Sequence, residues 1–128
     1  MALTLKIKDT EYSFRFGFAF LREINPLHRQ MVEELNEFEE IGFQLEVIKW
    51  LGSHDYSGLV NILWYGNKTE TPRLKREEIE TYLEELTEEE LDDLENTVKD
   101  FLSGTALLSK KMKAAIQTVE NLSETDEQ

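Results

Sequence analysis

Apolar residues recur at every second position in two short runs near the start of the chain, over residues 3–7 and 12–16. This period of two is typical of β-strands that bury one face. Asp9 and Thr10 separate the runs, and an aspartate favours a tight turn because its carboxylate can accept hydrogen bonds from nearby backbone amides. The pattern predicts a β-hairpin that packs on the rest of the chain, since a lone hairpin is only marginally stable in water.

The apolar residues that follow have the spacing of helices. We expect a short helix from Phe18 that stops before Pro26, because the residue preceding a proline avoids the helical conformation. We then expect an amphipathic helix over residues 27–40, in which apolar side chains recur among glutamates. The apolar positions of this second helix are Leu27, Met31, Leu35 and Phe38.

Two central segments predict a helix over residues 43–52 and a core helix over residues 56–65. Asp55 is a suitable N-cap for the core helix, because its carboxylate can accept from the free amides of the first turn. Apolar side chains surround this helix on most sides, which indicates burial. Gly66 and Asn67 predict a left-handed exit from the helix, followed by a polar loop.

The last third of the chain has the pattern of three amphipathic helices. Their spans are 79–86, 91–102 and 107–122. Thr87 and Glu90 form a capping-box pattern ahead of the second of these helices, and Gly104 is placed to end it. Helical structure is therefore expected to dominate the fold.

The chain has 128 residues, of which 40% are hydrophobic, and this is enough for one compact core. We predict an α+β, mainly α domain over residues 1–122, in which an N-terminal two-stranded β-hairpin packs on a bundle of five to six helices. Residues 123–128 contain no large apolar side chain and are expected to form a disordered acidic tail.

Composition argues against several kinds of protein. The chain has no cysteine, which excludes disulfides, thiolate zinc sites and a cysteine nucleophile, and which favours a reducing cytoplasm. Its formal net charge of −13 argues against direct binding of nucleic acid, whose phosphates need lysine and arginine. Residues 1–8 lack the pattern of a secretory signal, and the longest nearly uncharged stretch, residues 56–68, is too short to cross a bilayer.

No residue pattern indicates catalysis, a cofactor or a metal. His28 and His54 are far apart and neither has the spacing of a paired metal ligand, so we expect surface or capping histidines. The sequence also lacks a glycine-rich phosphate loop, a nucleophile elbow and a calcium loop. An enzyme is therefore the least expected class, and we predict no catalytic, cofactor-binding or metal-binding residues.

Residues 77–95, here called the acidic block, contain eleven acidic residues and no lysine or arginine. Three lysines, Lys110, Lys111 and Lys113, cluster in the last helix. One interpretation is a solvated helical face with which these lysines pair. A second is an electrostatic guide for a basic segment of a partner, and a third is mimicry of a nucleic-acid backbone. The sequence leaves all three open.

Candidate contacts for a partner protein are aromatic or basic residues, because aromatic side chains bury a large area at low entropic cost. Trp64 is expected in the core, since it lies in the most apolar segment, whereas Trp50 and Tyr65 fit either the core or a binding surface. The predicted partner-binding residues are Phe18, Trp50, Tyr65, Tyr82, Lys110 and Lys111.

Three segments of the chain resemble a known family. The opening LTLKIKDTEYSFRFGFAFLREIN has a hairpin, a phenylalanine-glycine step at Phe16 and Gly17, and a helix with the pattern F-L-R-E over residues 20–23. The aromatic segment NILWYGNK precedes TPRLKREEIETYLEE, and SGTALLSKKMKAA lies near the end. Over residues 3–122 this order is similar to that of the tail assembly chaperones of long-tailed phages that infect Gram-positive bacteria.

The resemblance implies a non-enzymatic chaperone that binds the tape measure protein, a long and aggregation-prone helical polypeptide, and keeps it soluble while the tail tube assembles. It implies the major tail protein as a second partner. The expected location is the host cell cytoplasm and not the mature virion. The sequence does not decide between a monomer and a homo-oligomer. Edge pairing of the hairpin offers one route to self-association.

Two other functions fit the same composition. One is an acidic regulatory or DNA-mimic protein that binds a host or phage enzyme. The other is a structural component of the tail. The acidic block is the feature that suggests the first alternative.

Overall fold

The computed structural model describes the backbone of residues 2–126 and the side chains of residues 2–122. The strands are β1 (Leu3–Ile7), β2 (Thr10–Phe14), β3 (Arg29–Val32) and β4 (Glu37–Glu40). The helices are α1 (Phe18–Ile24), α2 (Gly42–Ser53), α3 (Tyr56–Asn67), α4 (Arg76–Glu84), α5 (Glu88–Gly104) and α6 (Ser109–Asp126). The predicted fold class is confirmed, with an N-terminal hairpin and six α-helices in the described part of the chain.

The first hairpin, β1–β2, is antiparallel, with Leu3 opposite Phe14 and Ile7 opposite Thr10. Its turn consists of Lys8 and Asp9, one residue earlier than predicted, and both have left-handed backbone angles with φ of 49° and 66°. Two consecutive left-handed residues match the twist of the flanking strands in a two-residue hairpin loop. The apolar face of the hairpin is buried in the core as expected.

Helices α2 and α3 pack closely, and their connection is short. His54 has a left-handed φ of 54° that ends α2. The Asp55 carboxylate then accepts from the backbone amide and the hydroxyl of Ser57, at 3.1 and 2.6 Å, which confirms the predicted cap of α3. A Cβ atom on Gly58 would lie 2.3 Å from the Glu46 carbonyl oxygen, so this crossing requires a glycine.

The predicted left-handed exit at Gly66 and Asn67 is wrong. Both residues lie within α3, and no glycine with a positive φ occurs in the described chain. Gly66 instead provides space, since a Cβ atom there would lie 2.5 Å from the Phe16 ring. Its carbonyl oxygen also accepts from the Arg15 amide at 2.8 Å, which joins the end of the first hairpin to α3.

Asn67 is fully buried, and its side-chain amide joins three segments. The Nδ2 group donates to the carbonyl oxygens of Ser13 and Pro72, at 3.0 and 3.2 Å. The Oδ1 atom accepts from the Leu74 amide at 2.6 Å. Asn67 therefore holds the first hairpin and the segment before α4 against the end of α3.

The helices pack around α2, which lies against α3 and α6, while α4 packs on α3 and α5 packs on α6. The predicted capping box of α5 is confirmed, because Thr87 and Glu90 exchange hydrogen bonds of 2.9 and 3.1 Å. Helix α6 continues to Asp126, beyond the end predicted near residue 122. The disordered acidic tail over residues 123–128 stays a prediction, and residues 127–128 lie outside the described backbone.

The helix predicted over residues 27–40 is wrong. A short 3-10 turn over Asn25–Leu27 leads into an antiparallel second hairpin, β3–β4. Its turn is closed by hydrogen bonds from the amides of Leu35 and Asn36 to the carbonyl oxygens of Val32 and Glu33, both 3.2 Å, and Asn36 has a left-handed φ of 52°. Asparagine tolerates that conformation better than most residues, and this local turn preference competes with the helical spacing of the apolar residues.

The core lies between the first hairpin and the helices and contains no residue of the second hairpin. Its largest fully buried side chains are Trp50, Phe14, Phe20, Phe43, Ile24, Leu59, Ile62, Leu63, Leu74, Ile79, Leu102 and Leu108. Among the described residues, none of the helices has the length and apolar character needed to span a membrane.

We expect Gly58→Ala to lower the free energy of unfolding by about 2 kcal/mol, because the new methyl group forces α2 and α3 apart at a backbone contact that cannot rotate away. Gly104→Ala is the matched control, since a Cβ atom there meets nothing within 4 Å and alanine favours the helix. Urea unfolding measures both. Equal stability of the two variants would contradict the close crossing.

We expect Asn67→Asp to lower the free energy of unfolding by about 3 kcal/mol at neutral pH, because a carboxylate would face two carbonyl oxygens that now accept hydrogen bonds. In the folded state the introduced carboxyl group should have a pKa above its unfolded value of about 4. The loss of unfolding free energy therefore grows as the pH rises above about 4 and shrinks on acidification. Urea unfolding at several pH values, relative to the unaltered chain, measures the difference. The exposed control Asn96→Asp should lose less than about 1 kcal/mol with little dependence on pH.

Candidate functional site

A groove of about 530 Å³ lies between the α2–α3 connection and α5. We call it the acidic groove, because three carboxylates of α5 line it, those of Glu88, Asp92 and Glu95. These residues are spaced four and three apart, which places them on one face of the helix. Part of the acidic block therefore borders a concave surface and does not simply face open solvent.

Trp50 lies at the floor of the acidic groove and is fully buried. Its indole Nε1 donates to the Glu95 Oε1 atom at 2.8 Å, which satisfies the buried N–H group and links α2 to α5. A ring with no exposed area offers no contact to a partner in this conformation. The structure thus places Trp50 in the core, one of the two alternatives that the sequence left open.

Tyr56 lies in the same groove, where its environment favours the neutral phenol. Burial raises its pKa above the ordinary value of 10.0, and the negative charges of Glu95, Asp92 and Glu88 raise it further. A tyrosinate would have to form beside three carboxylates, which explains the direction. The shift provides a measurable signature of how these charges converge.

The C-terminal part of α3 carries a half-buried aromatic pair with two cationic side chains beside it. Trp64 and Tyr65 have ring centroids 4.9 Å apart, and both are half-buried. The Lys68 ammonium lies 4.6 Å from the Trp64 ring centroid, and the Arg76 guanidinium lies 4.4 Å from it. These cation–π contacts keep Trp64 at the edge of the core, so the expectation of a core residue holds for only part of its surface.

The six predicted partner-binding residues lie on five different helices. Phe18 is the most exposed aromatic of the set, at 67%, and Trp50 is the least. Tyr82 on α4 is half-buried, and burial followed by the charge of Glu90 raises its pKa above 10.0. The structure does not gather these residues at one surface, and their roles in binding stay predictions. Their positions are Phe18 on α1, Trp50 on α2, Tyr65 on α3, Tyr82 on α4, and Lys110 and Lys111 on α6.

The lysine cluster does not pair with the acidic block. Lys110 and Lys111 are exposed, and the Lys111 Nζ atom lies 3.9 Å from Glu39 Oε1 of the second hairpin. Among the side chains of residues 2–122, no ion pair joins the cluster to α4 or α5. The predicted pairing of these lysines with the block is therefore wrong, whereas ten of its eleven acidic residues are exposed, as a solvated face requires.

The sequence did not single out Glu46, a buried carboxylate on α2. Its Oε1 atom lies 3.0 Å from His28 Nε2, and its Oε2 atom lies 3.1 Å from Lys49 Nζ. The sequence signal that could have indicated this buried carboxylate is a glutamate placed among the apolar residues of the predicted helix. His28 is thus half-buried and bound to a buried acid, whereas His54 is the exposed residue at the end of α2, as predicted.

Exposed large apolar side chains concentrate in the second hairpin and just before it. Of the seven in the described chain, four lie within residues 27–38. They are Leu27, Met31, Leu35 and Phe38. Clusters of this kind mark interaction surfaces more often than isolated exposed residues do.

No group of three or more histidine, cysteine, aspartate or glutamate side chains in the described residues has the arrangement of a metal site. The arrangement instead offers apolar and aromatic surface next to carboxylates. Such surfaces suit contact with another polypeptide, because apolar centres supply affinity and charged rims supply selectivity. The fold and its surfaces therefore define an acidic α+β domain of the protein-binding class.

Comparison with known proteins identifies the family. The sequence model of the phage tail assembly chaperone protein family (TAC) matches residues 4–119, from the first hairpin into α6. The chain belongs to this family, which confirms the resemblance drawn from the sequence. Comparisons with curated proteins and with solved structures gave no significant match.

We expect the double variant Glu88→Gln/Asp92→Asn to lower the pKa of Tyr56, because two of the charges that oppose the tyrosinate are removed. The pKa should stay above 10.0, since burial is the larger cause. Absorbance titration of the phenolate, with Tyr56→Phe as the reference for subtraction, measures the shift. The matched control Glu89→Gln/Asp93→Asn removes the same charge from exposed positions that do not line the groove, and an equal shift there would contradict the convergence.

Proposed function

We propose that this protein is a non-enzymatic chaperone that binds the tape measure protein of a phage and keeps it soluble while the tail tube assembles. The observation that carries the proposal is the family match over residues 4–119. Family membership gives a role in tail assembly through protein partners. The identity of the client is the step that we add.

The surface chemistry supports a holding function. A net charge of −13 keeps the chain in solution while it carries an apolar client. Exposed apolar side chains at Phe18 and along residues 27–38 provide area that a client segment can cover. A chaperone of this type needs affinity for hydrophobic segments and no reactive chemistry.

The proposal also specifies where the protein acts and which proteins it binds. The tape measure protein is the principal client, and the major tail protein is a second partner that would polymerise around it. The complex would form in the cytoplasm of the infected host, and the chaperone would leave before the virion is complete. Copies could line up along an extended client whether the free chain is a monomer or a homo-oligomer.

Coexpression with the tape measure protein of the same phage tests the client. We expect the soluble fraction of the tape measure protein to rise severalfold and the two proteins to elute together in size-exclusion chromatography. An unrelated acidic protein of similar size is the control for net charge alone. An equally insoluble tape measure protein with and without the chain, and no shared elution peak, would refute the proposal.

The uncompensated acidic block supports the alternative of an acidic regulatory or DNA-mimic protein. A structural tail component is the other alternative. Mass spectrometry of purified particles separates a structural component from an assembly chaperone, because the structural component is retained in the virion and the chaperone is absent. Competition with DNA for a host or phage enzyme would then favour the mimic.

A further inference from the structure

The second hairpin contributes nothing to the core. Seven of the eight residues in β3 and β4 are exposed, and Val32 is half-buried. A two-stranded hairpin without a packed face is only marginally stable in water. Its apolar side chains therefore gain burial only when something else covers them.

The apolar residues of this hairpin form one patch. Met31 lies directly opposite Phe38 in the strand register, which places both side chains on the same face. They are 44% and 60% exposed, and Leu35 in the turn is 67% exposed. We call these three residues the hairpin patch.

The base of the hairpin is fixed to the domain by polar contacts. The Ile41 amide donates to the His28 carbonyl oxygen at 2.9 Å, which extends the pairing of the two strands by one step at the base of the hairpin. The His28 side chain contacts the buried Glu46, and Lys111 of α6 lies 3.9 Å from Glu39. These contacts join the base of the hairpin to the domain, and the hairpin patch lies beyond them, where its strands do not pack on the core.

The rim of the patch is acidic at the turn, where Glu33 and Glu34 precede Leu35. Glu37 and Glu39 lie on the face of the hairpin opposite Phe38, because successive strand residues alternate between faces. Residues 29–40 contain five glutamates and one arginine, a formal charge of −4 (five negative, one positive). A second copy of this chain would bring the same negative charges together, which disfavours self-association at this face. A segment with apolar side chains bordered by lysine or arginine complements both the centre and the rim.

We propose that the hairpin patch is the client-docking surface, which takes an apolar segment flanked by basic residues. Met31, Leu35 and Phe38 cover the apolar side chains of that segment, and the glutamates of the turn, Glu33 and Glu34, pair with its lysines or arginines. Methionine is flexible and polarizable, so the patch adapts to segments of different sequence along one client. The identification of the client as the tape measure protein rests on the proposed function, whereas the surface chemistry stands on the hairpin alone.

The first experiment uses a synthetic amphipathic peptide of leucine and lysine as the probe and the full chain as the receptor. We expect Met31→Ser/Phe38→Ser to weaken binding at least about tenfold by isothermal titration calorimetry, since it removes the centre of the contact. Leu122→Ser, which alters an exposed leucine on α6 that has no assigned role in binding, should stay within about twofold. Circular dichroism checks that the variants keep the native fold, which the exposure of these side chains favours.

The second experiment tests the rim. Glu33→Gln/Glu34→Gln should weaken peptide binding and reduce its dependence on salt, because two attractive charges next to the patch are lost. Glu84→Gln/Glu85→Gln changes the net charge by the same amount at exposed positions on α4 and at its end, and should leave the affinity close to that of the unaltered chain.

Three results would overturn the docking surface: no binding of the peptide, equal binding by the patch variant, or equal weakening by Leu122→Ser. A dimer of the free chain that the patch variant converts to monomer would also overturn it, in favour of self-association. Repeating the assay with tape measure protein separates the two proposals. If patch-dependent peptide binding occurs without tape measure binding, the client is wrong and the surface stands.

Discussion

The buried amide of Asn67 is the interaction on which the arrangement of the domain depends. It accepts from the Leu74 amide and donates to the carbonyl oxygens of Ser13 and Pro72, and it lies at the end of the most buried helix. Without it, three backbone groups from two separate segments would lose their partners in a place with little water. This one side chain bonds to backbone groups of the first hairpin and of the segment before α4. Both segments can therefore pack against the end of α3.

Close backbone approach is the second constraint. Gly42, Gly58 and Gly66 each lie where a methyl group would collide with another segment, at Ile24, Glu46 and Phe16 respectively. These contacts join α1, α2, α3 and the end of the first hairpin into one packed unit. The second hairpin and the exposed carboxylates Glu88 and Asp92 of α5 stay outside that unit, whereas Glu95 binds Trp50 and takes part in it.

Local patterns were sufficient for most elements but failed where tertiary contacts decide. The alternation of residues 3–7 and the capping box at Thr87 depend on neighbours in sequence, and both were predicted. The segment 27–40 has helical spacing, yet the turn at Asn36 and the contact of His28 with Glu46 stabilise a hairpin instead. Asn67 was misread for a similar reason, because its partners are 54, 5 and 7 residues away and no local pattern indicates them.

The candidate surfaces were less predictable than the fold. Phe18 is exposed and Trp50 has no exposed area, but the binding roles predicted for them stay predictions, and Glu46 was overlooked. The convergence of Glu88, Asp92 and Glu95 on Tyr56 depends on how α5 packs beside the α2–α3 connection. A sequence records the charge of the acidic block but not which of its members share a groove.

The two tryptophans give the chain a pair of natural fluorophores in opposite environments. Trp50 is enclosed in the core with its N–H group bound to Glu95, whereas Trp64 lies at the edge of α3 beneath two cationic side chains. Emission from Trp50 responds chiefly to loss of the core. Emission from Trp64 responds to displacement of Lys68 or Arg76 while the fold remains intact, so single-tryptophan versions would distinguish unfolding from events at the surface without any attached dye.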